Sequence, residues 1–365
     1  MHLGIASLLA FYQRHRQDDA LVLATITATS GSTYRKPGAM MLISRDGQFA
    51  GMISGGCLEA DLLQHAAGVF ATGRQQTITY DMHAGDEVLW GLGLGCDGVI
   101  ALLLQRLDRG RDYALLDQLS AAQDQRQPVL LALVVESSRA DLTIGRAGLL
   151  DRAGAGWGAD ELVGLCRDQA GTGWPPWRQR QTRQDDYAAM LVNIPPQPRV
   201  LLCGAGPDAV PVAQAVVALG WACVVVDHRP ACASAQRFPP NCSVLQSRPE
   251  QLALTVHPGS IDAAVVMSHH LENDAVYLHR LAHDFARSGL AYIGVLGPAA
   301  RRVRLQQMAA VQDTPLHGPV GLDIGAELPE AIALAIVAEI HAVLNGRNGQ
   351  SLTSKAVTAA AENAT

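Results

Sequence analysis

The sequence predicts an α/β protein in two parts, a mixed α+β N-terminal domain followed by a doubly wound parallel sheet, over 365 residues. Three observations predict it. Beyond residue 198, short apolar strand-like runs alternate with helical segments, the pattern of parallel strands joined by helices. Ahead of that, strand-like runs follow one another with fewer helices between them and include a hairpin signal. Between the two lies Ile194-Pro195-Pro196-Gln197-Pro198, whose three prolines in four residues make a stiff, extended linker.

The N-terminal stretch MHLGIASLLAFYQRHRQ reads as an amphipathic helix. It lacks the basic start and small-residue cleavage site of a leader. Strands are expected at Ala20–Thr29, Ala39–Ser44 and Gln48–Ile53, the last two joined by the Asp46-Gly47 turn. A helix is expected from Gly55-Gly56 to about Ala71, then a strand near Gln75–Asp81. The glycine loop Gly91–Gly98 leads into the apolar run Val99–Leu104. From 109 to 194 the pattern weakens. Tyr113–Ala122 is helix-like, Pro128–Glu136 is strand-like with further strands beyond, and Trp174-Pro175-Pro176-Trp177 is a loop. This region is read as the rest of the first domain, which then runs 1–194, or as a small layer attached to it.

The second domain, 199–345, opens with strand Arg199–Cys203, helix Asp208–Leu219 and strand Ala222–Asp227. Apolar runs at Asp262–Met267 and Ala291–Leu296 follow, and a long helix Glu327–Leu344 closes it. Glu330 and Glu339 on that helix fit a solvated face. Residues 346–365, small and polar, form a flexible tail.

Composition excludes several classes. With 48% hydrophobic and 17% charged residues the chain can build a sizeable core. A net charge of −6 without basic blocks argues against nucleic acid. No run of eighteen apolar residues suggests a membrane span, so a cytoplasmic protein is expected. Seven cysteines, an odd number without CxxC or Cys/His metal spacing, indicate neither a disulfide framework nor a structural zinc site. Cys203 and Cys223 sit in apolar strands and are expected to be small buried hydrophobes.

Four glycine loops carry the chemistry. Gly204-Ala205-Gly206-Pro207-Asp208-Ala209 follows a strand and opens a helix, and Asp227 ends the next strand. In a Rossmann unit the glycines make the turn and admit a phosphate, the helix N-terminus stabilises it, and the acid binds ribose hydroxyls. The same turn also serves a Rossmann sheet that binds no nucleotide, and Asp208 would repel a pyrophosphate unless a cation compensates. Ser54-Gly55-Gly56-Cys57-Leu58-Glu59 is the sharper signal. A cysteine in the first turn of a helix is expected to have a lowered thiol pKa; its thiolate can attack, accept sulfur or bind a soft metal. The competing reading is a small residue packed under a tight turn. Upstream, GSTYRKPG (31–38) offers Arg35 and Lys36 to an oxyanion. Downstream, GLGLGCDG (91–98) brings a second loop cysteine, Cys96. These three loops are expected to converge on one edge of a sheet. His269 and His270, after the strand ending Val265-Val266-Met267-Ser268 and close to Glu272 and Asp274, suit a metal or acid/base site, or else a polar-capped helix start.

Together these stretches resemble the XdhC/CoxI family, accessory proteins of molybdenum hydroxylases such as xanthine dehydrogenase and carbon monoxide dehydrogenase. The resemblance rests on GSTYRKPGAMMLISRDGQFAGMISGGCLEADL, GLGLGCDG, LLCGAGPDAVPVAQAVVALGWACVVVDHRP, RFP, VVMSHHLENDAVYL, YIGVLGPAARRVRL and LHGPVGLDIGAELPEAIALAIVAEI, in order from residue 31 to 341. It implies a cofactor-binding chaperone without turnover of its own. Such a protein holds molybdenum cofactor, supports its sulfuration through contact with a cysteine desulfurase, and inserts it into an apo molybdenum hydroxylase. Cys57 matches the family's cysteine and is implied as a molybdenum ligand or a contact of the cofactor, with Ser54, Gly55, Gly56, Glu59, Arg35, Lys36 and Cys96 around it. Asp97 stands where the family more usually has glycine. Gly204, Gly206, Asp227, His269 and His270 are the binding candidates of the second domain, for NAD(P) or another nucleotide. The competing functions are an NAD(P)-dependent oxidoreductase with His269 or His270 as acid/base, and a scaffold bridging desulfurase and target. A homodimer is expected as the commonest assembly.

Overall fold

Leu8, Leu9, Phe11 and Tyr12 share one face of the first helix, and that face is buried in α1 (Ile5–Arg14). The computed structural model describes residues 4–82, 98–171, 173–175 and 177–353. The chain divides into two compact units, Met1–Gln197 and Pro198–Thr365.

In the first unit β1 (Ala20–Gly31), β2 (Met40–Ile43) and β3 (Phe49–Gly51) are followed by α2 (Glu59–Thr72), β4 (Gln76–Asp81) and β5 (Gly98–Asp108). They form an antiparallel sheet ordered β3-β2-β1-β5-β4. Nearly continuous burial over the first seven residues of β1, Ala20 to Ile26, follows from cover on both faces. Ala20, Val22, Ala24 and Ile26 pack with Leu62, Ala66, Val69 and Phe70 of α2. Leu21, with Leu42 and Leu103, faces the other way.

Residues 109–194 build a second five-stranded antiparallel sheet, more than sequence pattern predicted there. After α3 (Tyr113–Asp124) come β6 (Val129–Ser137), β7 (Ala147–Asp151), β8 (Gly156–Gly158), α4 (Asp160–Ala170), β9 (Gln179–Arg183) and β10 (Tyr187–Ile194), ordered β8-β7-β6-β10-β9. One face of this sheet, through Val129, Leu133, Leu149, Met190 and Val192, shares a core with α1, α3 and the first sheet. The other packs on Leu162, Val163, Leu165 and Cys166 of α4. The unit is therefore two stacked sheets with a helix on each outer face. At one edge of the second sheet β9 is exposed along most of its length; at the other β8 spans three residues, Gly-Trp-Gly.

The second unit runs β11 (Arg199–Cys203), α5 (Ala209–Ala218), β12 (Ala222–Asp227), β13 (Cys242–Gln246), α6 (Leu252–Thr255), β14 (Ala263–Val266), α7 (Leu271–Arg280), β15 (Tyr292–Val295), α8 (Ala299–Ala309) and α9 (Pro329–Leu344). All five strands are parallel, in the order β13-β12-β11-β14-β15. Helices α5 and α9 cover one face, and α6, α7 and α8 the other. This is the expected doubly wound sheet, and its strand order reverses between β11 and β14, where such folds open a crevice. Glu339 departs from the expected solvated face: Tyr292 Oη and the Gly321 amide donate to it. No helix among the described residues is long and apolar enough to cross a membrane.

Candidate functional site

Pairing directions bring the loops of the first sheet together. Gly31 ends β1 opposite Gly98, which begins β5, and Gly51 ends β3 opposite Met41 near the start of β2. With Met40 paired to Thr25, the loop after β1, the loop after β3 and the start of β5 lie at one edge. Gly98 is where the chain can come close. A Cβ there would stand 2.6 Å from Ser32 O, 2.7 Å from Ser30 O and 2.9 Å from Thr33 Cγ2. Cys96 and residues 91–97 lie outside the described residues.

Within the loop after β3, Ser54 and Glu59 are tied to each other. Glu59 Oε1 accepts from the amides of Ser54 at 2.8 Å and Ile53 at 3.3 Å, and Ser54 Oγ donates to Oε2. In turn Ser54 Oγ accepts from the amides of Leu58 at 3.0 Å and Gly56 at 3.3 Å. The pair works as a reciprocal cap on the helix start. Both side chains are buried. Burial pushes the Glu59 carboxyl up, but the hydrogen bonds from Ser54 and the neighbouring amides outweigh it and leave it below the usual carboxylate range. Because this cap holds residues 54–58 as a loop, α2 starts at Glu59 rather than at Gly55-Gly56, and Cys57 stands two residues ahead of it. Cys57 is therefore not in the first helical turn.

Ser54 and Glu59 thus shape the loop and leave its crest to Gly55, Gly56 and Cys57. Both glycines are exposed, and a Cβ on either would meet nothing within 4 Å. Cys57 is half-buried with a free thiol. Among the described residues the amides of Gly55 and Cys57 have no acceptor. On the neighbouring loop, Lys36 Nζ donates to Thr33 Oγ1 at 3.3 Å, and Thr33 Oγ1 donates to Arg35 O. Lys36 is exposed and Arg35 half-buried. The edge therefore presents a soft thiol, free amides and two cations. No group of three or more His, Cys, Asp or Glu side chains able to hold a bare metal exists among the described residues.

In the second unit the structure brings Gly204, Gly206, Asp227, His269 and His270 to the reversal of strand order. Gly204, at φ +122, presses on the chain after β14, where a Cβ would stand 2.6 Å from Met267 O. Asp227 sits where the fingerprint places it, but its oxygens are taken. Oδ1 accepts from Arg229 N and Nε at 2.9 Å, and Oδ2 from Arg229 Nη2 at 2.7 Å and Ala205 N at 2.8 Å. Burial raises its pKa, yet these bonds win and hold it down at about 2.

Asp208 meets its partner from the other side of the crevice. His269 Nε2 pairs with Asp208 Oδ2 at 2.7 Å, and His269 itself takes the left-handed conformation, φ +62. His270 is the N-cap of α7, accepting from the Asn273 amide. Asp274, read from sequence as part of a possible acid/base or metal site, is instead buried against Ser268 and Arg301, whose Nη2 lies at 2.6 Å. Sequence reasoning missed Arg229 and Arg301. The first was legible as a cation two residues after the strand-end acid; the second lies 27 residues from its partner and left no local sign.

Comparison with known proteins places this architecture. The XdhC Rossmann domain matches residues 200–340, and the XdhC and CoxI family matches residues 14–81. A probable xanthine dehydrogenase subunit of Bacillus subtilis is 35% identical over 331 residues, 89% of this chain and 93% of that protein. The molybdenum cofactor insertion chaperone PaoD of Escherichia coli is 26% identical over 335 residues, 88% of this chain and 83% of its own. A crystal structure described as a xanthine dehydrogenase from Bacillus halodurans superposes with a TM-score of 0.73 at 29% identity, covering 96% of this chain and 99% of that one. Similarity runs through both units, and the chain belongs to the XdhC and CoxI family.

Proposed function

We propose that the protein is a carrier of molybdenum cofactor that supports its sulfuration and inserts it into a hydroxylase of the xanthine dehydrogenase or carbon monoxide dehydrogenase type. The observation that carries this reading is the crest of the loop after β3: a half-buried free thiol beside two exposed glycines with open space above them. The cofactor is cargo here. A single thiolate is a poor site for a bare metal, but it suits molybdenum that arrives already held by its pterin. Cys57 is the ligand in this reading. The amides of Gly55 and Cys57, with Arg35 and Lys36, receive the pterin phosphate. Ser54 and Glu59 position these groups, and Cys96 is a further contact. The relatives support it as well, since one is named for a xanthine dehydrogenase and another for molybdenum cofactor insertion.

A cysteine desulfurase supplies the sulfur and an apo hydroxylase receives the product. The carrier acts as a homodimer and performs no turnover of its own. Purified protein mixed with molybdenum cofactor and gel-filtered is expected to retain molybdenum at about one per chain; no coeluting molybdenum defeats the carrier reading. Cys57→Ala is expected to lower retention at least about tenfold. Full retention by that variant removes Cys57 as ligand.

The competing reading, an NAD(P)-dependent oxidoreductase, rests on the Gly204–Gly206 turn. Ribose binding by Asp227 would have to displace Arg229 from both carboxylate oxygens. Titration with NAD and NADP, followed by fluorescence, tests it directly.

A further inference from the structure

The two stacked sheets of the N-terminal unit do not close completely. Between them is a cavity of about 640 Å³. Its walls are same-face residues of facing strands, Leu23 and Thr25 of β1 against Leu131 and Leu133 of β6, with one side formed by α3. No residue of the loops 31–38 or 54–59 lines it. Protein interiors rarely keep voids larger than a water molecule, whereas cavities of roughly 300–1,000 Å³ are typical of small-molecule sites.

The wall chemistry is uneven. Leucines dominate the interior, but Thr25 is fully buried and its hydroxyl has no hydrogen-bond partner. A buried hydroxyl left in that state has lost its water without a replacement, a deficit that a bound acceptor or donor would recover. Around the rim, Arg106 and Arg111 are neutralised by Asp108 and Asp112. Arg146 is exposed at the rim with no ion pair among the described residues.

From this arrangement we infer that the cavity is a binding site for a small amphiphile, with an apolar body lying between the sheets, a hydrogen-bonding atom facing Thr25 and one anionic group at Arg146. The site is separate from the cofactor loops and does not depend on the carrier reading. A fatty carboxylate and an aromatic carboxylate share this chemistry.

The test is a fluorescence titration of the full chain with 8-anilinonaphthalene-1-sulfonate, alongside its neutral relative N-phenyl-1-naphthylamine. Saturable binding of one sulfonate probe per chain is expected, displaced by decanoate if the natural body is a flexible chain and by 1-naphthoate if it is a flat ring. Leu131→Trp, which fills the cavity, should weaken both probes at least about tenfold. Arg146→Ala should weaken the sulfonate at least about fivefold and leave the neutral probe unchanged. The second comparison decides alone if melting shows Leu131→Trp to be unfolded. Absent or unsaturable binding overturns the inference, including the case of a second copy of the chain filling the cavity. Binding indifferent to both variants overturns it as well.

Discussion

Glu59 is a buried carboxylate whose hydrogen bonds hold its own loop. Ser54→Ala removes both the donor to Glu59 and the acceptor for the Leu58 and Gly56 amides. It is expected to cost about 1–2 kcal/mol in urea unfolding. A change below a few tenths would show that the loop stands without its cap. Asp227 allows a test by pH. Its folded-state pKa is depressed from 3.8 to about 2, so its contribution is present in full above about pH 4 and fades as pH falls toward 2. The stability gap between wild type and Asp227→Asn should therefore narrow by up to about 2 kcal/mol between pH 5 and pH 2.5. A gap constant over that range contradicts the ion pair with Arg229. The Ser54–Glu59 partnership was not visible in sequence, and that of Asp227 showed only as a cation two residues on, because a carboxylate next to a glycine turn reads the same whether it faces a ligand or its own chain.

At the scale of elements, the turn after β11 is the least forgiving in the second unit. Gly204 combines φ +122 with a backbone contact from the chain after β14, so Gly204→Ala should lose roughly 2–4 kcal/mol by thermal or urea unfolding. An alanine tolerated there at no cost would mean the two strand ends separate easily. At Gly206 a Cβ would press closely on Asp208 Oδ1, a side-chain end at 2.6 Å, rather than on backbone. Strand, glycine turn and helix were legible in sequence because each signal is local: the apolar runs fell within a residue or two of β11, β12, β14 and β15. The start of α2 was misplaced because two glycines and a cysteine after a strand look like a helix entry, while the Ser54–Glu59 cap that postpones it depends on burial.

At the scale of the molecule, hydrophobic burial is divided. Three clusters belong to residues before the proline-rich stretch and two to residues after it. Calorimetry of the full chain should accordingly resolve two transitions, and a single one with equal calorimetric and van't Hoff enthalpies would show that the units melt together. Residues 109–194 were hard to read for a related reason. A half-covered sheet shows its pattern only across several strands. Here β8 is Gly-Trp-Gly and β9 is Gln-Arg-Gln-Thr-Arg, while Leu131, Leu133 and Leu149 gain meaning only once the facing sheet is known. Those two weak strands also bear on how the sheet meets a neighbouring chain. The hydrogen-bonding rim on one side is guarded by arginines that solvent will not release cheaply, and on the other it is too short to template a neighbour. A layer whose pattern was weak in sequence thereby ends in two poor templates for a neighbouring strand.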